Sequence, residues 1–196
     1  MKTILFIDGR NFLDKISSIF ELNGQKEVDF SIYNFKGLID KVLLGVKIDR
    51  MIFYFGKLSK HPATIEKSKI LIEKQRLLKT NLQSQGFEVI ITGRVRGHIE
   101  RCFKGHETLT FKEKGVDVKI SVDMVTLACD KNLKTAIIGS SDSDLQPAMK
   151  ELKQRNIERI YLGFENNPNK GLTFTTNRTI LIRNSEVISF LNKTLI

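Results

Sequence analysis

Short apolar segments that alternate with amphipathic segments of helical periodicity are the feature that most constrains the fold of this chain. The segments at residues 2–7, 50–55, 87–92, 135–139 and 159–162 have the length and side chains of β-strands. Between them, apolar residues recur at helical spacing, as Phe12, Ile16 and Ile19 do. Strands that alternate with helices predict an α/β fold built on a parallel sheet.

The remaining segments complete this pattern without an obvious domain boundary. Residues 93–114, punctuated by Gly, Arg and Lys, are predicted to form a basic loop or a hairpin. We expect Val118, Val122, Val125 and Leu127 to face mostly inward on their helix. Helices are predicted at residues 12–22, 63–85, 116–129, 145–155 and 185–191, and an edge strand at 179–183.

The charge of the chain indicates an anionic partner. Lys and Arg exceed Asp and Glu by 32 to 22, a net charge of +10, and they concentrate at residues 57–79 and 94–119. Such clusters can neutralise phosphates, but charge runs also occur on solvated helix faces. No apolar segment has the roughly 20 residues of a membrane-spanning helix, so we expect no membrane partner. Two cysteines without CxxC spacing favour a reducing, cytoplasmic compartment.

Aspartates stand at the ends of the predicted elements that matter most for a site. Asp8 follows the first strand, and Asp142 and Asp144 follow the strand at 135–139. Asp117 lies at the start of the helix at 116–129. In a parallel sheet with crossover helices, strand carboxyl ends and helix amino ends lie at one edge, where such folds bind ligands. We therefore expect these carboxylates to converge.

Carboxylates that converge repel one another and favour a bound cation. Oxygen donors without Cys or His suit Mg²⁺ or Mn²⁺ rather than zinc. A hard divalent ion orients a phosphate and lowers the pKa of a bound water, which is what phosphodiester hydrolysis requires. Asn11, Ser140 and Ser141 are close enough in sequence to Asp8 and Asp142 to reach a metal-bound water or a phosphate.

Other interpretations of these residues stay open at this point. Asp117 or Asp144, taken singly, also fits a helix N-cap. Asp123 lies about 600° of helix rotation beyond Asp117, so it belongs either near the sheet edge or to the surface. Cys102 and His106 have no second pair with zinc-ligand spacing, and the chain has neither a Gly-rich nucleotide loop nor a nucleophile elbow.

Three sequence blocks resemble the signature blocks of NYN domains of the LabA/DUF88 type, which are PIN-like nucleases. They are IDGRN at 7–11, KGVDVKISVD at 114–123 and SSDSD at 140–144, and YFG at 54–56 also fits. The resemblance covers about residues 1–165, and we expect 166–196 to be a C-terminal extension packed on the same domain. It implies a PIN-like, doubly wound, mainly parallel sheet with helices on both faces.

The resemblance also implies a ribonuclease that uses Mg²⁺ or Mn²⁺ to hydrolyse RNA phosphodiester bonds, in an endonucleolytic manner. Asp8, Asp117, Asp142 and Asp144 would then be metal ligands and catalytic residues, and Asn11 would assist. Asp123 matches a recurring family acid without an assigned role. The class includes homodimers. The candidates for RNA backbone contacts are Arg94, Arg96, Arg101, Lys104, Lys114 and Lys119.

One departure from the family pattern bears on activity. Ser141 stands where the family usually has Gly, and it would restrict the turn if that position needs a positive φ. The acids themselves are retained.

Two further classes of function are alternatives to the nuclease. A binding or regulatory module with the same fold would turn over little or no RNA, and loss of acids would favour it. The third class, other α/β enzymes with acids at strand ends, fails on named residues. Asp8 is followed by Gly9-Arg10 rather than by the Asp-x-Asp of dehalogenase-type phosphatases, and Toprim domains have Glu there. Receiver domains have an isolated Asp rather than a pair.

Overall fold

A parallel sheet lies at the centre of the protein. The computed structural model describes residues 1–25, 27–101 and 107–191. The described strands are β1 (Lys2–Asp8), β2 (Arg50–Gly56), β3 (Glu88–Thr92), β4 (Arg94–Arg101), β5 (Glu107–Lys114), β6 (Leu133–Gly139), β7 (Glu158–Phe164) and β8 (Arg178–Ile182). Six of them form a sheet in the order β3-β2-β1-β6-β7-β8, with every neighbouring pair parallel. The α/β fold expected from the alternating pattern is confirmed.

Helices cover both faces of this sheet, as the alternation of side chains along β1 shows. Leu5 and Ile7 pack into one buried cluster, and Ile4 and Phe6 pack into another on the opposite face. The helices are α1 (Gly9–Leu22), α2 (Phe35–Val42), α3 (Ile65–Ser84), α4 (Val116–Cys129), α5 (Gln146–Gln154), α6 (Lys170–Thr175) and α7 (Asn184–Ser189). The first cluster includes residues of α1, α2, α3 and α7, and the second includes residues of α4, α5 and α6.

The order of the strands reverses between β1 and β6. From β1, the chain adds β2 and β3 on one side, and from β6 it adds β7 and β8 on the other. Such a reversal opens a crevice at the carboxyl ends of the two central strands, and ligands of open α/β folds bind there. Asp8 ends β1, and the loop at 140–144 follows β6, so both border this crevice.

Two details of the helices differ from the expectations. Val118 and Val122 are 59% and 52% exposed, so the prediction that they face inward is wrong. The buried stripe of α4 instead runs at spacings of four, through Val116, Ile120 and Met124, because α4 lies on the sheet along this line. The sequence pattern predicts no element between residues 22 and 50, whereas α2 forms there.

The basic segment at 93–114 forms a hairpin of β4 and β5. The two strands pair antiparallel, from Arg94 opposite Lys114 to Arg101 opposite Glu107. Gly93 and Gly115, both at positive φ, flank the base of this hairpin. Gly115 is also the N-cap of α4, so the hairpin leads directly into that helix. Among the described residues, no helix is long and apolar enough to cross a membrane.

Candidate active site

Asp8 lies at the carboxyl end of β1 and caps α1. Its Oδ1 accepts a hydrogen bond from the backbone N–H of Asn11 at 3.1 Å. Only 7% of the residue is exposed, although it carries an ionisable carboxyl group. The cap explains why α1 begins directly after β1, and it directs the carboxyl group into the crevice beside β6.

The loop after β6 is tied to Asp8 through Ser140. The buried Ser140 hydroxyl donates to Asp8 Oδ2 at 3.4 Å and accepts the Asp142 N–H at 3.1 Å. Asp142 Oδ1 in turn accepts the Asp144 N–H at 2.9 Å and caps the short 3₁₀ turn at Ser143–Leu145. Of the four aspartates, Asp8 and Asp142 therefore serve as side-chain caps. The alternative that Asp117 or Asp144 serves as a cap is not what the structure shows.

Both backbone polar groups of Ser141 are hydrogen-bonded to asparagine side chains. Its N–H donates to Asn11 Oδ1 at 2.8 Å, and its carbonyl oxygen accepts Asn169 Nδ2 at 2.8 Å. Asn169 is itself fixed, because its Oδ1 caps α6 and its N–H donates to the Tyr161 hydroxyl at 3.0 Å. Ser141 does not have a positive φ, so serine fits the position without strain.

Asn169 is a residue that the sequence pattern does not connect with the site. It lies in a polar stretch, NNPN at 166–169, where Asn and Pro are typical of a turn. Its contact with Ser141 spans 28 residues of sequence, and no local signal predicts such a contact.

Three carboxylates from separate parts of the chain act on one another here. Burial raises the pKa of Asp8, and the neighbouring charges of Asp142 and Asp117 raise it further, against hydrogen bonds from Asn11 and Ser140 that lower it. Asp117 lies in the first turn of α4 and is half-buried, whereas Asp144 is exposed. Asp8, Asp117 and Asp142 thus lie close enough to act on one another, and these three with Asp144 are called the acidic site below.

The donors of the acidic site fit a hard divalent cation that keeps part of its water shell. Among the described residues, no three His, Cys, Asp or Glu side chains are arranged to hold an ion directly. Mg²⁺ commonly binds proteins through one or two carboxylates and several waters, so it does not need three. The buried carboxylate of Asp8 and the half-buried carboxylates of Asp117 and Asp142, which repel it, supply oxygen donors and negative charge, the chemistry that such an ion requires.

Asp123 and Lys119 are engaged with each other on α4. Asp123 accepts hydrogen bonds from Lys119 Nζ at 2.6 Å and from the Tyr54 hydroxyl at 3.0 Å. Burial, together with the Asp123 charge, raises the pKa of the Tyr54 hydroxyl. A contact between Lys119 and RNA would therefore have to share or replace this ion pair.

The hairpin sorts its residues onto two faces. Arg94 and Arg96 alternate onto the same face as their cross-strand partners Lys114 and Lys112, and all four are exposed. Arg101 belongs by alternation to the other face. On that face, the Phe111 ring packs edge-on against the His61 ring, with their centroids 5.5 Å apart. Lys104, Cys102 and His106 lie outside the described residues.

Comparisons with known proteins show the family and the fold of the chain. The sequence profile of the NYN domain family matches residues 2–183. The crystal structure of a protein of unknown function from Vibrio parahaemolyticus is similar in fold, with a TM-score of 0.60. The two chains are 19% identical over 92% of this chain and 93% of the other, so the likeness concerns the fold alone. No curated protein matches the chain.

Proposed function

Because the chain belongs to the NYN domain family, which is nuclease-like, we propose that it is a ribonuclease that hydrolyses RNA phosphodiester bonds internally with Mg²⁺ or Mn²⁺. The observation that carries the proposal is the meeting of Asp8, Asp117 and Asp142 where the strand order reverses. A basic protein surface around an acidic crevice suits a polyanionic substrate, since the cations bind the backbone while the acids act on one phosphate.

In the proposed reaction, the residues of the acidic site bind a divalent cation. Asp8, Asp117, Asp142 and Asp144 would hold the cation, directly or through water. When bound, the cation supplies positive charge to the scissile phosphate and lowers the pKa of the attacking water. The water oxygen attacks phosphorus and releases a proton to solvent, the bond to the 3′ oxygen breaks, and that oxygen takes up a proton from solvent. The products are a 5′-phosphate and a 3′-hydroxyl.

Asn11 and Ser140 keep the two central loops in register. Asn11 Oδ1 is occupied by the Ser141 N–H, which leaves its amide Nδ2 as the group to donate to a phosphate oxygen. The Ser140 hydroxyl joins Asp8 to the backbone of Asp142. Both residues thus fix the separation of the carboxylates before a substrate binds.

The test of the function is cleavage of labelled single-stranded RNA in Mg²⁺, in Mn²⁺ and in EDTA. We expect internal cleavage with either metal and none in EDTA. Folded protein that binds several RNAs in a salt-sensitive manner but cuts none of them would instead support a binding or regulatory module.

We propose that RNA binds the face of the hairpin that carries Arg94, Arg96 and Lys114. The other candidate cations for RNA contacts are Arg101, Lys104 and Lys119. Each phosphate contact to a single strand contributes about 0.7 to the slope of log affinity against log salt. The double variant Arg94→Gln with Arg96→Gln is therefore expected to reduce this slope by roughly 1.4. The affinity is measured in an Asp142→Asn background, so that RNA stays intact.

The matched control for the salt slope is Lys134→Gln with Lys153→Gln. Lys134 lies near the start of β6 and Lys153 in the last turn of α5, and both are exposed. These variants remove the same charge but leave the hairpin unchanged. If both double variants change the slope equally, the hairpin has no special part in binding.

A further inference from the structure

Glu113, on strand β5 of the hairpin, is a fifth acidic residue near the crevice. Its Oε2 accepts the backbone N–H of Gly56 at 2.6 Å, at the last residue of β2. The side chain is half-buried in this position. A Cβ on residue 56 would lie 2.4 Å from the same oxygen, so the carboxylate fits there only because residue 56 is glycine.

This contact brings Glu113 to the strand next to Asp8. Tyr54 of β2 pairs with Asp8 of β1, and Gly56 lies two residues beyond Tyr54 on β2. Burial raises the pKa of Glu113, and the charges of Asp8 and Asp14 raise it further, while the hydrogen bond from the Gly56 N–H and the Arg10 guanidinium lower it. Glu113 therefore experiences the negative charge of the acidic site.

A glutamine would make the same hydrogen bond without this cost. An amide oxygen accepts a backbone N–H as a carboxylate oxygen does, and it carries no charge to desolvate or to be repelled by Asp8. The Gly56 N–H and the Arg10 guanidinium offset this cost only in part, since the pKa of Glu113 stays raised. A cation bound at the acidic site would offset it further.

Glu113 is also connected to Asp117 through the backbone. Lys114, Gly115 and Val116 are the only residues between them, and Gly115 is the N-cap of α4. The backbone N–H of Val95, opposite Glu113 on β4, donates to the Lys57 carbonyl at 3.1 Å. Both strands of the hairpin are thus anchored to the end of β2, and this anchor fixes the point from which α4 and Asp117 emerge.

We propose that Glu113 is a positioning residue of the acidic site, whose charge strengthens the binding of a divalent cation and whose hydrogen bond to Gly56 fixes the hairpin beside Asp8. The proposal rests on the proposed function, since that function supplies the cation. It adds a residue that lies outside the three signature blocks, and it gives the hairpin a part in the site as well as in RNA binding.

Two variants separate the charge from the hydrogen bond. Glu113→Gln keeps an acceptor for the Gly56 N–H and removes the charge, and Glu113→Ala removes both. The control is Glu158→Gln, because Glu158 accepts the Thr135 hydroxyl at 2.8 Å at the start of β7, on the opposite edge of the sheet. The readouts are the Mn²⁺ affinity from calorimetry and the thermal midpoint in EDTA.

We expect Glu113→Gln to bind Mn²⁺ roughly 10-fold more weakly, which is the lower end for residues that support a metal site without ligating it. We expect its thermal midpoint in EDTA to rise, because repulsion with Asp8 is gone. Glu113→Ala should lose the same affinity and, in addition, protection of the Gly56 amide from hydrogen exchange. Glu158→Gln should bind as the wild type does.

The outcomes distinguish this proposal from the function on which it rests. Wild-type affinity in Glu113→Gln, with a loss only in Glu113→Ala, would reduce Glu113 to a structural contact and overturn the proposal alone. A wild type that binds neither Mn²⁺ nor Mg²⁺ would overturn the proposed metal-dependent nuclease together with it.

Discussion

Replacing Asp142 with asparagine is expected to lower the rate of RNA cleavage about 10²–10⁴-fold, the range for a group that acts in the transition state. Asparagine keeps Oδ1, so it can still accept the Asp144 N–H that caps the 3₁₀ turn. The Asp142 N–H, which donates to Ser140, is backbone and does not change. The variant therefore removes charge from the acidic site while keeping the loop in place.

The same variant is expected to be more stable than the wild type in EDTA. The Asp142 charge raises the pKa of the buried Asp8, so the two carboxylates repel each other when no cation is bound. Removing this repulsion should raise the free energy of unfolding by roughly 0.5–1 kcal/mol, a typical gain from relieving a functional site. Cleavage rates and urea unfolding of the same preparation measure both effects.

The control is Asp130→Asn. Asp130 is exposed at the C-cap of α4, at the end of the helix away from Asp117. It makes the same chemical change, and we expect wild-type cleavage. Equal loss of cleavage in both variants, or cleavage by Asp142→Asn at the wild-type rate, would contradict the assignment of the acidic site.

Gly93→Ala is expected to cost roughly 3 kcal/mol or more of unfolding free energy, because backbone strain and a backbone clash act together. Gly93 has φ +60°, and a Cβ there would lie 2.2 Å from the carbonyl oxygen of Lys114. Lys114 immediately precedes the N-cap of α4, so relief of the clash displaces the base of the hairpin and the start of that helix. Cleavage activity should fall as well, since Asp117 moves with α4.

Gly45→Ala separates the strain from the clash. Gly45 has φ +83°, and a Cβ there would meet no atom within 4 Å. It should therefore cost only the left-handed backbone penalty of about 1–2 kcal/mol and leave cleavage unchanged. Urea unfolding of both variants tests the difference. Equal destabilisation would mean that the base of the hairpin is not constrained as the structure indicates.

The parts of the fold and site that the sequence predicts are those set by local patterns. Strand and helix alternation predicts the parallel sheet, and the position of an aspartate after each central strand predicts that Asp8 and Asp142 share an edge. The second inference uses the fact that strand ends and helix starts meet at one edge of the sheet. The alternating pattern does not predict the strand order, whose reversal between β1 and β6 explains why this pair borders a crevice.

The parts that the sequence does not predict depend on contacts through space. Asn169 reaches Ser141, and Glu113 reaches Gly56 from 57 residues away. In the sequence, Glu113 stands between two lysines of a basic segment, and nothing local shows which face of the hairpin meets the sheet. The prediction of which face of α4 points inward is wrong for a related reason. Its sequence is apolar on more than one side, so periodicity alone does not select the stripe that packs.

The most direct measurement of the central claim is the identity of the ends that the protein leaves on cleaved RNA in Mg²⁺. Attack by a water at the acidic site breaks the bond to the 3′ oxygen, so we expect 5′-phosphate and 3′-hydroxyl ends from the wild type and no such ends from Asp142→Asn. A 2′,3′-cyclic phosphate, formed in EDTA as readily as in Mg²⁺, would mean attack by the RNA's own 2′-hydroxyl and would contradict hydrolysis at the acidic site.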